Sequence, residues 1–278
     1  MDNRRMCPNC RAFITTDDKT CPYCEVAIGP KAIDRRSPGD MFGIPGDRLL
    51  TTAILGFNTL LYLAMILRDA QASRGGIQMD PSSQALVDFG GKWAPYIFQR
   101  GQWWRLITAG FLHGGILHIG MNSWVLYELG RTVDDTFGRY RYITIYLIAS
   151  AAGFGASLYW SPYSLSIGAS AGITGLIGAM VALGTKEKHS MIGAMRGQYV
   201  QWMVIVLIQG FIISGIDNAA HIGGFIGGFI VAYIAGSPNY SRTDEGIWKT
   251  AAYVCLAVTA YAFFDMFEWL LRGSTQVL

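Results

Sequence analysis

The polar and apolar positions of this chain separate it into two unlike regions. Residues 1–48 contain no apolar run. From Leu49 onward the chain is a series of apolar stretches, each close to the length that carries a helix across about 30 Å of hydrocarbon. Seven runs are read, at 49–67, 106–126, 142–160, 169–184, 200–216, 218–235 and 249–271. None alternates polar and apolar residues as a membrane strand must, so helices are predicted throughout. The first run starts too deep to be a signal peptide, and no inverted or parallel repeat of the transporter kind is found. The expected fold class is an all-α polytopic membrane protein with seven spans, preceded by a small cysteine-bearing module.

Composition supports this. Of 278 residues, 51% are hydrophobic and only 15% charged, where a soluble domain carries about a quarter charged. A disordered chain and an ordinary cytosolic enzyme are excluded, and a net charge of +3 is too small to argue for nucleic acid as a partner. The distribution of charge says more than its sum. With the N-terminus inside, 16 of the 22 lysines and arginines fall on the inner side and 6 outside, and basic residues collect on the cytoplasmic side. The expected topology is a multi-pass protein of the cytoplasmic membrane, N-terminus inside and C-terminus outside. The long outer segment 68–105 ends in Trp93-Ala-Pro-Tyr96-Ile-Phe98 and Trp103-Trp104-Arg105. Such a mixture suits the headgroup layer, so this segment is expected on or in the outer leaflet; an aromatic belt that only anchors accounts for the tryptophans equally well.

Cys7-Pro-Asn-Cys10 and Cys21-Pro-Tyr-Cys24 form two C-x2-C knuckles ten residues apart. Four thiolates suit a tetrahedral zinc, and a module this short has too little core to fold without metal or crosslinks. Two disulfides are the competing reading; the inward-facing topology places the module in a reducing compartment and favours structural zinc. The pattern resembles short zinc ribbons at bacterial protein termini, although Arg11 and Glu25 stand where glycine often follows the second cysteine. Whether the module recruits a cytosolic partner or only anchors the N-terminus is left open. Cys255, in the last span, reads as a small apolar residue.

Ionisable and polar residues inside spans are costly and mark candidate sites. His118 and Asn122 share a helical face in the second run; His113, five residues before His118, is turned well away from that face or lies just ahead of the helix. Ser170 opens the fourth run in Gly168-Ala-Ser170-Ala-Gly172, and His221 lies near the start of the sixth. The second, fourth and sixth spans run in the same direction, so these residues share one depth in the outer half of the membrane. Gly224 and Gly228 fall on the face of His221, and Ala171, Gly175 and Gly178 make a smooth strip on the fourth run; small residues let membrane helices approach closely. Taken singly, each feature has a plainer explanation: a serine bonding its own backbone, a histidine joining helices, a strip that only packs. Together, at one depth, they point to a site.

Trp104-Arg105, His113…His118…Asn122, Gly168-Ala-Ser170 and Ala220-His221-x-x-Gly224-x-x-x-Gly228 resemble the motifs of the rhomboid intramembrane serine proteases, over roughly Leu49 to Ala235. The resemblance implies a six-helix catalytic core at 49–236 with one added C-terminal helix; around that core the chain is read as a zinc ribbon at 1–30, a linker at 31–48, and an inner loop, seventh span and outer tail at 237–278. It implies a serine endopeptidase that cuts transmembrane segments of other membrane proteins near the outer face. Ser170 would be the nucleophile and His221 the general base. The Ser170 N–H with His118 and Asn122 would hold the oxyanion, His113, Gly168 and Trp104 would line the site, and Arg105 would support the outer segment. No catalytic cofactor is implied. The chain departs from the family in having Ala171 after the serine and Thr174 where an aromatic usually stacks on the histidine; Trp124 or Phe225 offers a ring in its place. Asp217 reads as the cap of the sixth span or as a third member orienting His221, and the cap is favoured. The alternative function is an inactive rhomboid-fold binder or quality-control factor for membrane segments.

Overall fold

A computed structural model describes residues 4–7, 12–15, 18, 20–25, 49–72, 76–236 and 242–273. The chain divides into two units, Met1–Gly46 and Asp47–Leu278.

In the first unit β1 (Arg4–Met6) pairs antiparallel with β2 (Phe13–Thr15), Arg5 opposite Ile14. The Cys7 N–H donates to the Ala12 carbonyl at 2.9 Å, closing the knuckle. Cys7, Ile14 and Cys21 are buried with Cys24 packed on them. Among the described residues the interior is sulfur and one isoleucine, far below what a domain of this size needs to fold on apolar burial alone.

The second unit is helical. Its elements are α1 (Leu49–Ala72), α2 (Ser83–Asp88), α3 (Ala94–Arg100), α4 (Arg105–Thr108), a 3-10 turn (Ala109–Phe111), α5 (Ile116–Phe137), α6 (Arg139–Trp160), α7 (Ser170–Lys186), α8 (Met191–Ile212), α9 (Asn218–Ala235) and α10 (Arg242–Gly273). The seven long helices among the described residues answer to the seven apolar runs. Five of them, α1, α6, α8, α9 and α10, are long and apolar enough to cross a membrane; α7 is apolar but has 17 residues. At 1.5 Å per residue α7 rises about 26 Å, short of the roughly 30 Å hydrocarbon layer.

One predicted run is redrawn. Residues 106–126 are not a single helix: α4 and the 3-10 turn come first, the chain then passes through Leu112–Gly115, and α5 begins at Ile116 and runs to Phe137. Two successive glycines interrupt the helix where hydropathy alone shows no break, and α5 continues past the apolar run through Glu128, Arg131, Asp134 and Asp135. His113 accordingly sits ahead of the helix. The outer segment is also structured: Pro95 opens α3, where its fixed φ and missing N–H do no harm, and Ser82 caps α2 by accepting from the Ala85 N–H at 3.1 Å.

The centre of the unit is α7, which packs most extensively on α9 and also on α6 and α8. It is buried on every side from Ala171 to Gly184, as a helix apolar all round must be. The α7–α9 contact is backbone on backbone: a Cβ on Gly228 would lie 2.0 Å from the Gly175 carbonyl oxygen, and one on Gly224 2.1 Å from that of Ala171. On the outside, α8 and α10 expose Val204, Ile205, Ile208, Phe211, Tyr253, Val254, Val258 and Phe264. A continuous apolar exterior of this kind needs hydrocarbon around it. The helix α10 lies on α6 and α4. At its start, buried Arg141 of α6 pairs with Asp244 and Glu245 and lies over the Trp248 ring. Towards its end, Phe263 meets Phe57 and Phe111 edge-on.

Candidate active site

The loop Ser161–Ala169 delivers Ser170 to the first position of α7. It is held by a short antiparallel bridge in which Lys92 and Ser166 exchange backbone hydrogen bonds at 2.9 and 3.0 Å. A further bond runs from the Gly168 N–H to the Ala109 carbonyl, at 2.9 Å. Gly168 has φ +128°, and a Cβ there would stand 2.8 Å from His118 Nε2; the absent side chain serves both the backbone conformation and the approach of the imidazole. As the first residue of α7, Ser170 carries one of the four N–H groups that a helix start leaves without an intrahelical acceptor.

His221 is the fourth residue of α9 and is buried. Its Nε2 lies 2.9 Å from Ser170 Oγ. When Nε2 accepts from the hydroxyl, Nδ1 carries the ring proton, and His221 Nδ1 is buried without a hydrogen-bond partner. Among the described residues no third member hydrogen-bonds to it. Asp217 instead caps α9: one carboxylate oxygen accepts from the Ala220 N–H at 3.0 Å and the other from the Ser157 hydroxyl. Burial pushes the Asp217 carboxyl up. The bonds from the Ser157 hydroxyl and the Ala220 N–H, with the Lys92 charge, outweigh this and hold it below the usual carboxylate range.

His118 accepts at Nδ1 from the Gly114 N–H at 3.3 Å, which leaves the ring proton on Nε2, the nitrogen beside Gly168. Asn122 donates one amide hydrogen to the His118 carbonyl at 2.9 Å; its second hydrogen is not used by that bond. His113 is fully buried and meets the edge of His118, ring centroids 5.0 Å apart. Ser170, His221, His118 and Gly168 are thus brought together, with Asn122 one turn along from His118 and His113 behind it. Trp104 sits elsewhere: its ring packs on the Arg105 guanidinium, 4.7 Å from the ring centroid.

Arg105 is fully buried and ties the outer segment together. It donates to the carbonyls of Val87 and Gly91 at 2.6 and 3.1 Å and to Gln102 Oε1 at 2.7 Å, between the Tyr96 and Trp104 rings. Neither Trp124 nor Phe225 supplies the ring missing at position 174. Trp124 is exposed, Phe225 stacks on Phe229, and no aromatic contact to His221 is present among the described residues. Thr174 is buried and donates to the Ala171 carbonyl at 3.0 Å; a Cβ on Gly224 would lie 2.8 Å from its hydroxyl. A bulkier side chain at 174 would meet α9 there.

Sequence reasoning missed Lys92 and Ser157. Lys92 is fully buried and its ammonium donates to the carbonyls of Ser161 and Ser164 at 2.8 and 2.9 Å and of Ser157 at 3.4 Å. Nothing in the sequence pairs this lysine with residues some 70 positions away; only its isolation in an aromatic, weakly charged stretch hinted at a special role.

In the first unit the sulfurs of Cys7, Cys21 and Cys24 lie within 4.8 Å of one another, and Cys7 and Cys24 are 3.6 Å apart. Sulfurs around a tetrahedral zinc, each about 2.3 Å from the metal, stand about 3.8 Å apart, whereas a disulfide is about 2.05 Å. The cluster suits a metal. Cys10 lies outside the described residues.

A multi-pass helical protein with a serine and a histidine in contact across its two most closely packed helices defines a class, and the family follows from comparison. The Rhomboid domain model matches residues 100–238, and the chain belongs to the rhomboid family. It is 36% identical over 177 residues to the rhomboid protease GluP of Bacillus subtilis, covering 64% of this chain and 34% of that protein. It is 31% identical over 169 residues to RHOMBOID-like protein 4 of Arabidopsis thaliana, covering 59% and 42%. Over 203 residues it is 29% identical to the rhomboid protease AarA of Providencia stuartii, covering 63% and 69%. The chain thus spans a third to a half of the length of the first curated relatives it matches. It is an integral multi-pass membrane protein.

Proposed function

We propose that this chain is a serine-type intramembrane endopeptidase that cleaves transmembrane segments of other membrane proteins. The observation that carries the reading is the 2.9 Å contact between His221 Nε2 and Ser170 Oγ, made across helices that touch through their backbones. Ser170 Oγ attacks the scissile carbonyl as His221 Nε2 takes its proton. The oxyanion is held by the Ser170 N–H, by His118 Nε2–H and by the remaining Asn122 amide hydrogen. His221 then gives its proton to the leaving amine, and water, activated by the same imidazole, releases the acyl group. Because α7 is shorter than the bilayer core, its serine end can lie within the hydrocarbon thickness beneath the Ser161–Ala169 loop, a depth that suits cleavage near the outer face.

The protein is proposed to sit in the cytoplasmic membrane with its N-terminus inside and its C-terminus outside, on the sided distribution of its basic residues. Cys7, Cys10, Cys21 and Cys24 are proposed to hold a structural zinc; with four sulfur ligands it has no open position for chemistry.

Purified protein is expected to cut a model membrane substrate, and Ser170→Ala and His221→Ala are each expected to abolish cleavage. Full activity in both variants would sink the reading. His118→Ala and Asn122→Ala are each expected to lower kcat by about 10²-fold, the usual effect of losing an oxyanion donor. An inactive binder would instead leave Ser170 unlabelled by a fluorophosphonate probe in folded protein.

A further inference from the structure

A buried ammonium needs a reason. Lys92 loses all contact with solvent, a cost met only when each N–H finds an acceptor. Its acceptors, the carbonyls of Ser157, Ser161 and Ser164, all belong to the last turn of α6 and the turn that follows it. A cation at a helix C-terminus is favoured by the unpaired carbonyls and by the helix dipole. That accounts for the stability of the arrangement, and it does not account for the two directions in which the arrangement extends.

In one direction, the Lys92 backbone is bridged to Ser166, two residues before Gly168 and four before Ser170 on a loop fastened again at Ala109. In the other, Ser157 receives the ammonium at its carbonyl and donates its hydroxyl to Asp217. Asp217 caps α9 and accepts the His221 N–H at its own backbone carbonyl, at 3.1 Å. The chain of contacts from Ser166 through Lys92 and Ser157 to Asp217 thus joins the segment that delivers the serine to the helix that delivers the histidine, with the Lys92 cation and the Asp217 anion on either side of Ser157.

We propose that Lys92 is a positioning residue for the Ser170–His221 pair, acting through Ser157 and Asp217 to fix the separation of the loop before α7 from the start of α9. This rests on the reading of Ser170 and His221 as nucleophile and base. It separates two roles for Asp217. A mere helix cap is served equally by asparagine, whereas the strut needs the carboxylate that faces Ser157 and the charge of Lys92.

The test uses the full-length protein in detergent, with three readouts. These are the rate of fluorophosphonate labelling at Ser170, kcat and KM for a model transmembrane substrate, and the thermal unfolding midpoint. Lys92→Met and Ser157→Ala are each expected to slow labelling and kcat by about 10-fold or more, since small misplacements of reacting groups cost rates of that order, with KM little changed. Asp217→Asn should lose activity in the same way although the cap survives, and Lys92→Arg should recover part of what Lys92→Met loses. The Lys92→Met, Ser157→Ala double variant should be no worse than the more impaired single one, because both interrupt one strut. If Lys92→Met does not fold, Ser157→Ala and Asp217→Asn decide the matter. Folded Ser157→Ala and Asp217→Asn proteins with unchanged labelling and kcat overturn the proposal, as do losses that vanish once corrected for the folded fraction. Absence of Ser170-dependent labelling in the unsubstituted protein overturns the underlying protease reading instead.

Discussion

At the scale of single residues, the site depends on a side chain that is missing. Gly168 combines φ +128° with an imidazole nitrogen 2.8 Å from where a Cβ would be. Gly168→Ala is expected to cost about 1–3 kcal/mol through backbone strain alone and to displace His118. Activity should fall with little change in helix content, measured by cleavage assay beside circular dichroism. Asp217 gives a pH-dependent expectation. Its carboxyl is held below the usual range, so the stability it lends is fully present above its unfolded value of about 3.9. That contribution is lost as pH falls through the lower folded value. The gap in unfolding midpoint between the unsubstituted protein and Asp217→Asn should therefore be constant above about pH 4 and close below it. Ser170 and His221 were both visible in the sequence, because a polar residue in an apolar run stands out. Lys92 was not, because its partners are carbonyl oxygens, which every residue has.

At the scale of elements, the pairing of α7 with α9 decides whether a serine and a histidine form a site. The strip of small residues foretold a close approach, and the structure brings Gly228 against the Gly175 carbonyl. Gly228→Val must separate the helices or tilt one of them. A displacement of about 1 Å at the site is expected to lower kcat by about 10²-fold, and Ser170 labelling should fall with it. The seventh helix is fixed differently. Arg141, buried, meets Asp244 and Glu245, which are 29% and 33% exposed. Arg141→Met is expected to destabilise by less than the about 3–5 kcal/mol of a fully buried broken pair, because the two carboxylates can rehydrate. The unfolding midpoint should drop while Ser170 labelling at low temperature persists. The interrupted run at 106–126 shows the limit of hydropathy at this scale: it registers apolar residues and is blind to whether their backbone is one helix or two pieces joined by Gly114 and Gly115.

At the scale of the whole molecule, the two units have different grounds for stability. The helical unit is stabilised by burial within itself and by the lipid around it. The N-terminal unit, with a core of three sulfurs and Ile14 among its described residues, is expected to depend on a metal held by its cysteines. Colorimetric assay is expected to find one zinc per chain, lost in Cys21→Ser. Removal of residues 1–36 is expected to leave cleavage in detergent largely intact, because the proposed topology puts the site on the opposite side of the membrane from the N-terminus; loss of activity with a folded bundle would count against that separation.

What the sequence determined by itself was the membrane class, the number of long helices, the cysteine module and the residue types available for chemistry. These follow from hydropathy, spacing and local chemistry, which are written along the chain. Tertiary structure alone decided that His221 meets Ser170, that Trp104 belongs to the brace around Arg105, that Asp217, beyond its local cap, turns to Ser157, and that Lys92 is buried among the carbonyls at the end of α6. The decisive contacts among these, His221 to Ser170, Asp217 to Ser157 and Lys92 to the carbonyls of α6, join residues far apart in sequence, and their existence depends on where separate elements are fixed together, which no local pattern encodes.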